Sequence, residues 1–290
     1  MISDKDRCLI CGRFLGTESG IYHSSCIKRF YGTPDFQSQI PPVTELVENL
    51  EDRSVLVNLS GKRKSWNAKG GNRQYYFNFP GDIPYASEIS DLHMLTAKQF
   101  GVGAAETALF VFSDEEAPVQ VVRRPAKYKK LNGDYKTFNE DGRDLANLGD
   151  WIRQNSSNPG VDVIRFYQRV LYSLLTSTVI RAKDVQIMRL EEGINILAPA
   201  FRFPTYDLSK DVLDLDLSIC GNSHRAGQAQ LLELADYWNI HSKATTAIFE
   251  GFKNRRASYS TAVASSLLPD WLQEQLNGRF IQANLKLGLM

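Results

Sequence analysis

Asn158-Pro159-Gly160-Val161-Asp162-Val163-Ile164-Arg165-Phe166-Tyr167-Gln168-Arg169-Val170-Leu171-Tyr172-Ser173-Leu174-Leu175-Thr176 is the stretch on which the fold of this 290-residue chain turns. Val163, Phe166, Tyr167, Val170, Leu171, Leu174 and Leu175 recur at helical spacing and form one continuous apolar stripe. Asn158-Pro159-Gly160 marks the start of that helix. Toward the N-terminus the period changes. Val55, Val57 and Leu59 alternate with Leu56 and Asn58, and QYYFNF (74–79), ALFVFS (108–113) and VQVVRR (119–124) read as further strands. Gly61, Gly70, Gly71 and Asn72 supply turns between them. A short helix, TELVENLEDR (44–53) with Thr44 as cap, precedes these strands, and one helical stretch, Ala86 to Phe100, ended by Gly101, interrupts them. Residues 125–149 are polar and carry Lys127, Lys129 and Lys130. Beyond the central helix, Ala226 to Ile240, Ser242 to Asn254 and Asp270 to Leu285 again read as helices. Strands first and helices afterwards predict an α+β architecture or two lobes, not a doubly wound sheet.

Composition bounds the function. Hydrophobic residues make up 43% and charged residues 23%, enough apolar material to exclude whole-chain disorder. Lys plus Arg is 34 against 33 for Asp plus Glu, a net charge of +1 that excludes a histone-like chain. No apolar run approaches the roughly 18–20 residues of a membrane span. The N-terminal MISDKDRC is charged where a secretory leader has its apolar segment, which predicts a cytoplasmic protein.

Three of the four cysteines fall in Cys8-Leu-Ile-Cys11 and His23-Ser-Ser-Cys26. A reducing cytoplasm argues against disulfides. Two tight turns of two ligands each, separated by a short loop, suit tetrahedral zinc at Cys8, Cys11, His23 and Cys26. Gly12 would let backbone amides turn toward a thiolate. A four-ligand set leaves no open position, so the site is structural. It is expected to hold a small N-terminal piece, residues 1–34, that has too few apolar residues to fold alone. The plainer alternative is that the cysteines are small buried residues and His23 is a surface side chain.

Elsewhere the chemistry is thinner. Ser60-Gly61, followed by Lys62-Arg63-Lys64, is a glycine turn with basic residues that could meet phosphate or simply be solvated. Neither a Walker A nor a G-x-G-x-x-G sequence is present. Asp211, Asp214 and Asp216 cluster, but without a nearby histidine they read as a solvated strand face.

CLICGRFLGTESGIYHSSCIKRFYGTPDF (8–36) resembles the N-terminus of short HipA-like serine/threonine kinases, which open with such a knuckle. The resemblance runs over roughly residues 5–250. Leu59-Ser60-Gly61 is similar to that family's S-G-V-Q-P-K loop, Val122-Arg123-Arg124 to its R-R-F-D-R strand, and Asn158-Pro159-Gly160-Val161-Asp162 to its N-P-G-L-D turn. Leu174-Leu175-Thr176 resembles the F-L-T that leads into its catalytic loop, and Leu197-Ala198-Pro199-Ala200-Phe201 its L-A-P-A-Y. The resemblance implies a two-lobed, protein-kinase-like fold: a knuckle over 1–34, a strand-rich N-lobe over 35–124 with a linker at 35–43, and a helical C-lobe over 125–290. It also implies a place in toxin–antitoxin modules.

The departures fall on the chemistry. Ile180 stands where the family has its catalytic Asp, Val185 where it has a metal-holding Asn, and Arg202 where it has a second metal-binding Asp. The phosphate-binding lysine maps near Asn78 and its helix glutamate near Ser90, with Glu88 close by. Phosphoryl transfer needs a carboxylate at the attacking hydroxyl and oxygen ligands for magnesium. Ile and Val supply none, and Arg repels the ion. The first expectation is therefore a pseudokinase that acts by binding, its partner an active HipA-like kinase or an antitoxin. Magnesium binding is not expected. Residual metal-free nucleotide contact would fall to Ser60, Gly61, Lys64 and Arg202. A nucleic-acid-binding module is the second reading, from Lys28-Arg29 beside Phe30-Tyr31 and from the clusters Lys62–Lys64, Arg123–Lys130 and Lys253–Arg256. A divergent active kinase is the third.

Overall fold

Four strands, β1 (Ser54–Asn58), β2 (Gln74–Asn78), β3 (Glu106–Phe110) and β4 (Val119–Arg123), pair antiparallel in the order β1-β2-β4-β3. Phe77 stands opposite Val121 and Leu109 opposite Gln120. Strand alternation sorts the side chains onto two faces. Tyr75, Phe77, Ala108, Phe110, Val119 and Val121 share one apolar core cluster. The other face carries Gln120 and Thr107, both buried, and meets helix α2 (Ala86–Gln99) through polar bonds: Ser90 Oγ donates to Gln120 Oε1 at 2.9 Å and Thr107 Oγ1 to Asp91 Oδ1 at 2.8 Å.

The computed structural model describes residues 7–17, 20–31, 54–58, 74–78, 83–111, 118–123, 136–137, 144–190, 193–203, 214–219, 222–224 and 227–290. They belong to two compact units. One is Met1–Leu92, Ala105–Ala126 and Ser265–Pro269; the other is His93–Ala104, Lys127–Ala264 and Asp270–Met290. The expected linker at 35–43, the 44–53 helix and the 125–135 polar stretch lie outside the described residues.

The N-terminal segment is not a separate bead. Ile10, Leu15, Tyr22, Phe30 and Tyr31 belong to the same core cluster as the apolar sheet face. Leu109 N–H donates to Leu9 O at 2.8 Å, Tyr22 Oη to Leu109 O at 2.9 Å, and Tyr75 Oη to Phe30 O at 2.9 Å. Helix α1 (Ser24–Tyr31) ends under Arg123, whose Nη1 donates to Arg29 O at 2.9 Å and whose other Nη pairs with Glu106. A guanidinium at a helix C-terminus answers the exposed carbonyls there.

In the second unit α3 (Leu145–Asn155) precedes α4 (Pro159–Thr176), the stripe helix. Phe166, Tyr167, Val170, Leu171, Leu174 and Leu175 of α4 are all buried. Ser177 closes α4 in the left-handed region, at φ 56°. Helix α3 begins within the 125–149 segment that reads as polar and was not expected from the sequence. Asp144 caps it, accepting from Ala146 N at 2.7 Å, and Leu145, Leu148 and Ile152 form its buried side. Three strands, β5 (Lys136–Thr137), β6 (Gln186–Arg189) and β7 (Asn195–Leu197), form a small antiparallel sheet. A hairpin of β8 (Asp214–Ile219) and β9 (Asn222–His224) leads to α5 (Gln228–Tyr237), α6 (Ser242–Asn254), α7 (Arg256–Ala264) and α8 (Asp270–Lys286). Among the described residues no helix is long and apolar enough to cross a membrane.

Candidate functional site

Cys8, Cys11, His23 and Cys26 converge, with their donor atoms all within 4.8 Å of one another. Cys8 and Cys11 sit in a tight turn: Gly12 N donates to Cys8 O at 2.8 Å, and Gly12 takes φ +70°, a conformation open to glycine. His23 and Cys26 lie at the start of α1, about one helical turn apart. Zinc–sulfur bonds of about 2.3 Å and zinc–nitrogen bonds of about 2.0–2.1 Å imply sulfur–nitrogen edges of about 3.6 Å in a tetrahedron. His23 Nδ1 lies 3.4 Å from Cys11 Sγ and 3.7 Å from Cys26 Sγ. Its other ring nitrogen, Nε2, lies 3.0 Å from Phe14 O. A carbonyl can only accept, so Nε2 carries the proton and Nδ1 turns its lone pair to the sulfurs, the arrangement of a metal-bound imidazole.

The thiols also want a cation. Burial alone would raise the Cys8 thiol, but amides of His23, Ile10 and Cys11 aimed at its sulfur outweigh this and lower it. His23 N–H reaches Cys8 Sγ at 3.3 Å. Burial, and then the Cys11 and Cys8 sulfurs, push Cys26 up to about 12. Three crowded sulfurs cannot all be thiolates without a positive charge among them. The cluster can therefore hold a metal such as zinc, which supplies that charge, and Phe14 O is a partner of the set that spacing alone did not reveal.

The positions that the resemblance ties to kinase chemistry divide in two. In the first unit, Asn78 Nδ2 and Ser90 Oγ both donate to Gln120 Oε1, at 3.2 and 2.9 Å. A neutral network stands where a lysine–glutamate pair was sought. Glu88 is partly buried, which raises its carboxyl. In the second unit, Ile180 and Val185 are buried apolar side chains. Arg202 is not the open guanidinium expected from the sequence: its Nε and Nη2 both lie 2.6 Å from Asp184 Oδ1. Asp184 flanks Val185 in the 3₁₀ turn Ala182–Asp184. Nearby in charge is Arg169 of α4; burial pulls its guanidinium down to about 10, and the Asp184 carboxylate opposes that fall. Arg169 stays charged at neutral pH. Phosphate contact by Arg202 would first have to break its pair with Asp184.

Ser60, Gly61 and Lys64 lie outside the described residues, as do Lys62 and Lys127–Lys130. On α1, Lys28 and Arg29 are exposed, but Phe30 and Tyr31 are sealed in the core at 2% and 1% exposure. The aromatic half of the base-stacking argument therefore fails at this site. Arg123, counted in a basic cluster from sequence, is committed to α1 and Glu106.

The fold has known relatives in structure. The chain is similar to the HipA toxin of Shewanella oneidensis MR-1, solved with HipB and operator DNA, at a TM-score of 0.53 and 14% identity over 72% of this chain. It spans 58% of that chain. It is also similar to the Helicobacter pylori proinflammatory kinase CtkA, at a TM-score of 0.55 and 12% identity, over 76% of this chain and 89% of that one. No protein-family model and no curated protein sequence matches. The fold is thus HipA-like and kinase-related.

Proposed function

We propose that this chain is a HipA-like pseudokinase, a kinase-related scaffold with a structural zinc ion that acts by binding a partner instead of transferring phosphate. The observation that carries this reading is the Arg202–Asp184 pair, 2.6 Å apart, flanked by buried Ile180 and Val185. Two guanidinium groups and one carboxylate leave net positive charge where magnesium would need anionic oxygens. The Asn78–Gln120–Ser90 network supports the same reading, because the two positions assigned to the lysine and its glutamate do meet, but through neutral side chains. By analogy with the HipA neighbour, whose structure contains HipB and operator DNA, the partner is a protein of a toxin–antitoxin module, an antitoxin or an active kinase. Zinc closes the Cys8, Cys11, His23 and Cys26 set.

The test is a pair of measurements on the purified protein. ATP with magnesium should leave the thermal midpoint unchanged at millimolar nucleotide, since a ligand raises the midpoint only above its dissociation constant. Radiolabelled ATP should label neither the protein nor an added substrate. A magnesium-dependent midpoint rise, or labelling that disappears in Asp184→Ala, would refute the proposal.

A further inference from the structure

Helix α8 is apolar on two faces. Leu272, Leu276, Phe280 and Ala283 are buried, and the Phe280 ring meets those of Tyr259 and Phe100. That stripe fixes α8 to its own unit. The opposite side carries a second stripe. Trp271, Glu274, Gly278, Ile281 and Leu285 follow one another at steps of three and four, which places them along one line of the helix, and all five are exposed. Trp271 is 58% exposed, Ile281 49% and Leu285 60%. A surface helix needs one apolar face and turns polar residues to water on the other. Single exposed apolar side chains are common, but an aligned set marks a contact surface.

Gly278 says what kind of contact. It stands mid-helix at the centre of the outer stripe, and a Cβ there would meet nothing within 4 Å. Glycine inside a helix is unfavourable relative to alanine. No close packing within the chain calls for it. What a position without a side chain allows is the close approach of another backbone, as where small residues let two helices cross.

Symmetry and charge select the occupant. Trp271 lies seven residues before Gly278 and Leu285 seven after it. A second copy of α8 laid antiparallel on the first, with both Gly278 residues at the crossing, sets each Trp271 against Leu285 of the other copy. The charges agree with that direction. Asp270 and Glu274 stand in the first half of α8, Arg279 and Lys286 in the second. Antiparallel copies bring acidic half to basic half and set opposed helix dipoles side by side. Parallel copies would bring Glu274 against Glu274.

We infer that α8 is a self-association surface on which two copies of this chain cross antiparallel at Gly278. The inference uses no kinase-derived position, so it stands or falls separately from the pseudokinase reading. One helix pair buries less than the roughly 800 Å² per partner of a standard interface, so association is expected to be weak, with a micromolar dissociation constant.

Sedimentation velocity of the full chain from about 1 to 300 µM tests it. The average mass should rise from one chain toward two. Leu285→Glu and Ile281→Lys, both at exposed positions, should each weaken association by about tenfold or more and leave the thermal midpoint of dilute protein unchanged. Gly278→Gln separates a contact role from an internal one. It should raise the midpoint of dilute protein, because glutamine favours the helix and has room, and it should abolish association. Direction is read by mixing Trp271→Cys with Leu285→Cys and adding a short bismaleimide. Cross-linked dimer above the level of the unsubstituted chain should form in the mixture and in neither variant alone. A monomer throughout the range, association indifferent to Leu285→Glu and Gly278→Gln, or cross-linking of Trp271→Cys to itself would overturn the inference.

Discussion

Removing the proposed zinc should unfasten far more than the knuckle. The perturbation is Cys11→Ser or a zinc chelator, and the quantity at stake is the apolar surface that the knuckle lays on the sheet. Ile10, Leu15, Tyr22, Phe30 and Tyr31 are between 1% and 6% exposed and share one cluster with the sheet. Burial of a large apolar side chain is worth about 1.5–3 kcal/mol. Five of them give roughly 7–15 kcal/mol as an upper bound, since unfolded chains already bury part of that surface. A whole domain is stable by only about 5–15 kcal/mol. The sheet therefore cannot lose its cover and keep its order, and the expectation that metal loss would loosen only residues 1–34 gives way to collapse of the whole first unit. Amide hydrogen exchange with and without chelator is the assay. Amides of Glu106–Phe110 and Val119–Arg123, Leu109 N–H above all, should lose protection together with Cys8 and Gly12. Full protection of Val119–Arg123 in zinc-free protein would refute the reasoning.

Arg202→Ala should destabilise by about 1–3 kcal/mol, because it leaves the Asp184 carboxylate at 15% exposure without its paired guanidinium. Adding Asp184→Asn should recover part of that loss, read as coupling in urea titrations. Burial drives His93 down to about 3, so the folded protein holds it neutral. Between the ordinary value of 6.5 and about 3, the unfolded chain binds the extra proton, and stability falls as pH drops below 6.5. His93→Phe, which keeps the ring against Tyr259, should flatten that slope between pH 7 and pH 5 in urea midpoints. Gly149→Ala should cost about 3 kcal/mol, because a Cβ there strikes the Trp238 ring; an unchanged melting temperature would show that the ring has room to move.

What could be read from sequence was mostly local. The Cys/His cluster that could hold a metal was legible because each pair lies within one turn, and the helix Ala86–Gln99 and its stop at Gly101, φ +77°, follow from helical spacing and a glycine. Helix α6, Ser242–Asn254, came out to the residue for the same reason. What escaped depended on distance along the chain. Phe30 and Tyr31 read as exposed aromatics because Tyr75, which covers them, is more than forty residues away. Arg202 read as a lone charge because its partner is Asp184, 18 residues back. Helix α3 was hidden by its polar approach, though Asp144 ahead of Leu145, Leu148 and Ile152 is a cap-and-stripe signal.

The bond from Leu109 N–H to Leu9 O spans 100 residues of chain. During synthesis, the metal ligands through Cys26 are made long before Val119–Arg123 exists. At about 5–20 residues per second, the interval between Cys26 and Arg123 is roughly 5–20 s. If the proposed zinc binds once Cys26 has emerged, it holds the segment bearing Ile10, Leu15, Tyr22 and Phe30 for that time with no sheet to cover it. The nascent chain carries a preformed sticky template, which the strands join as they emerge. On the zinc-bound reading, metal supply during translation, rather than after it, would govern how long that apolar surface stays uncovered.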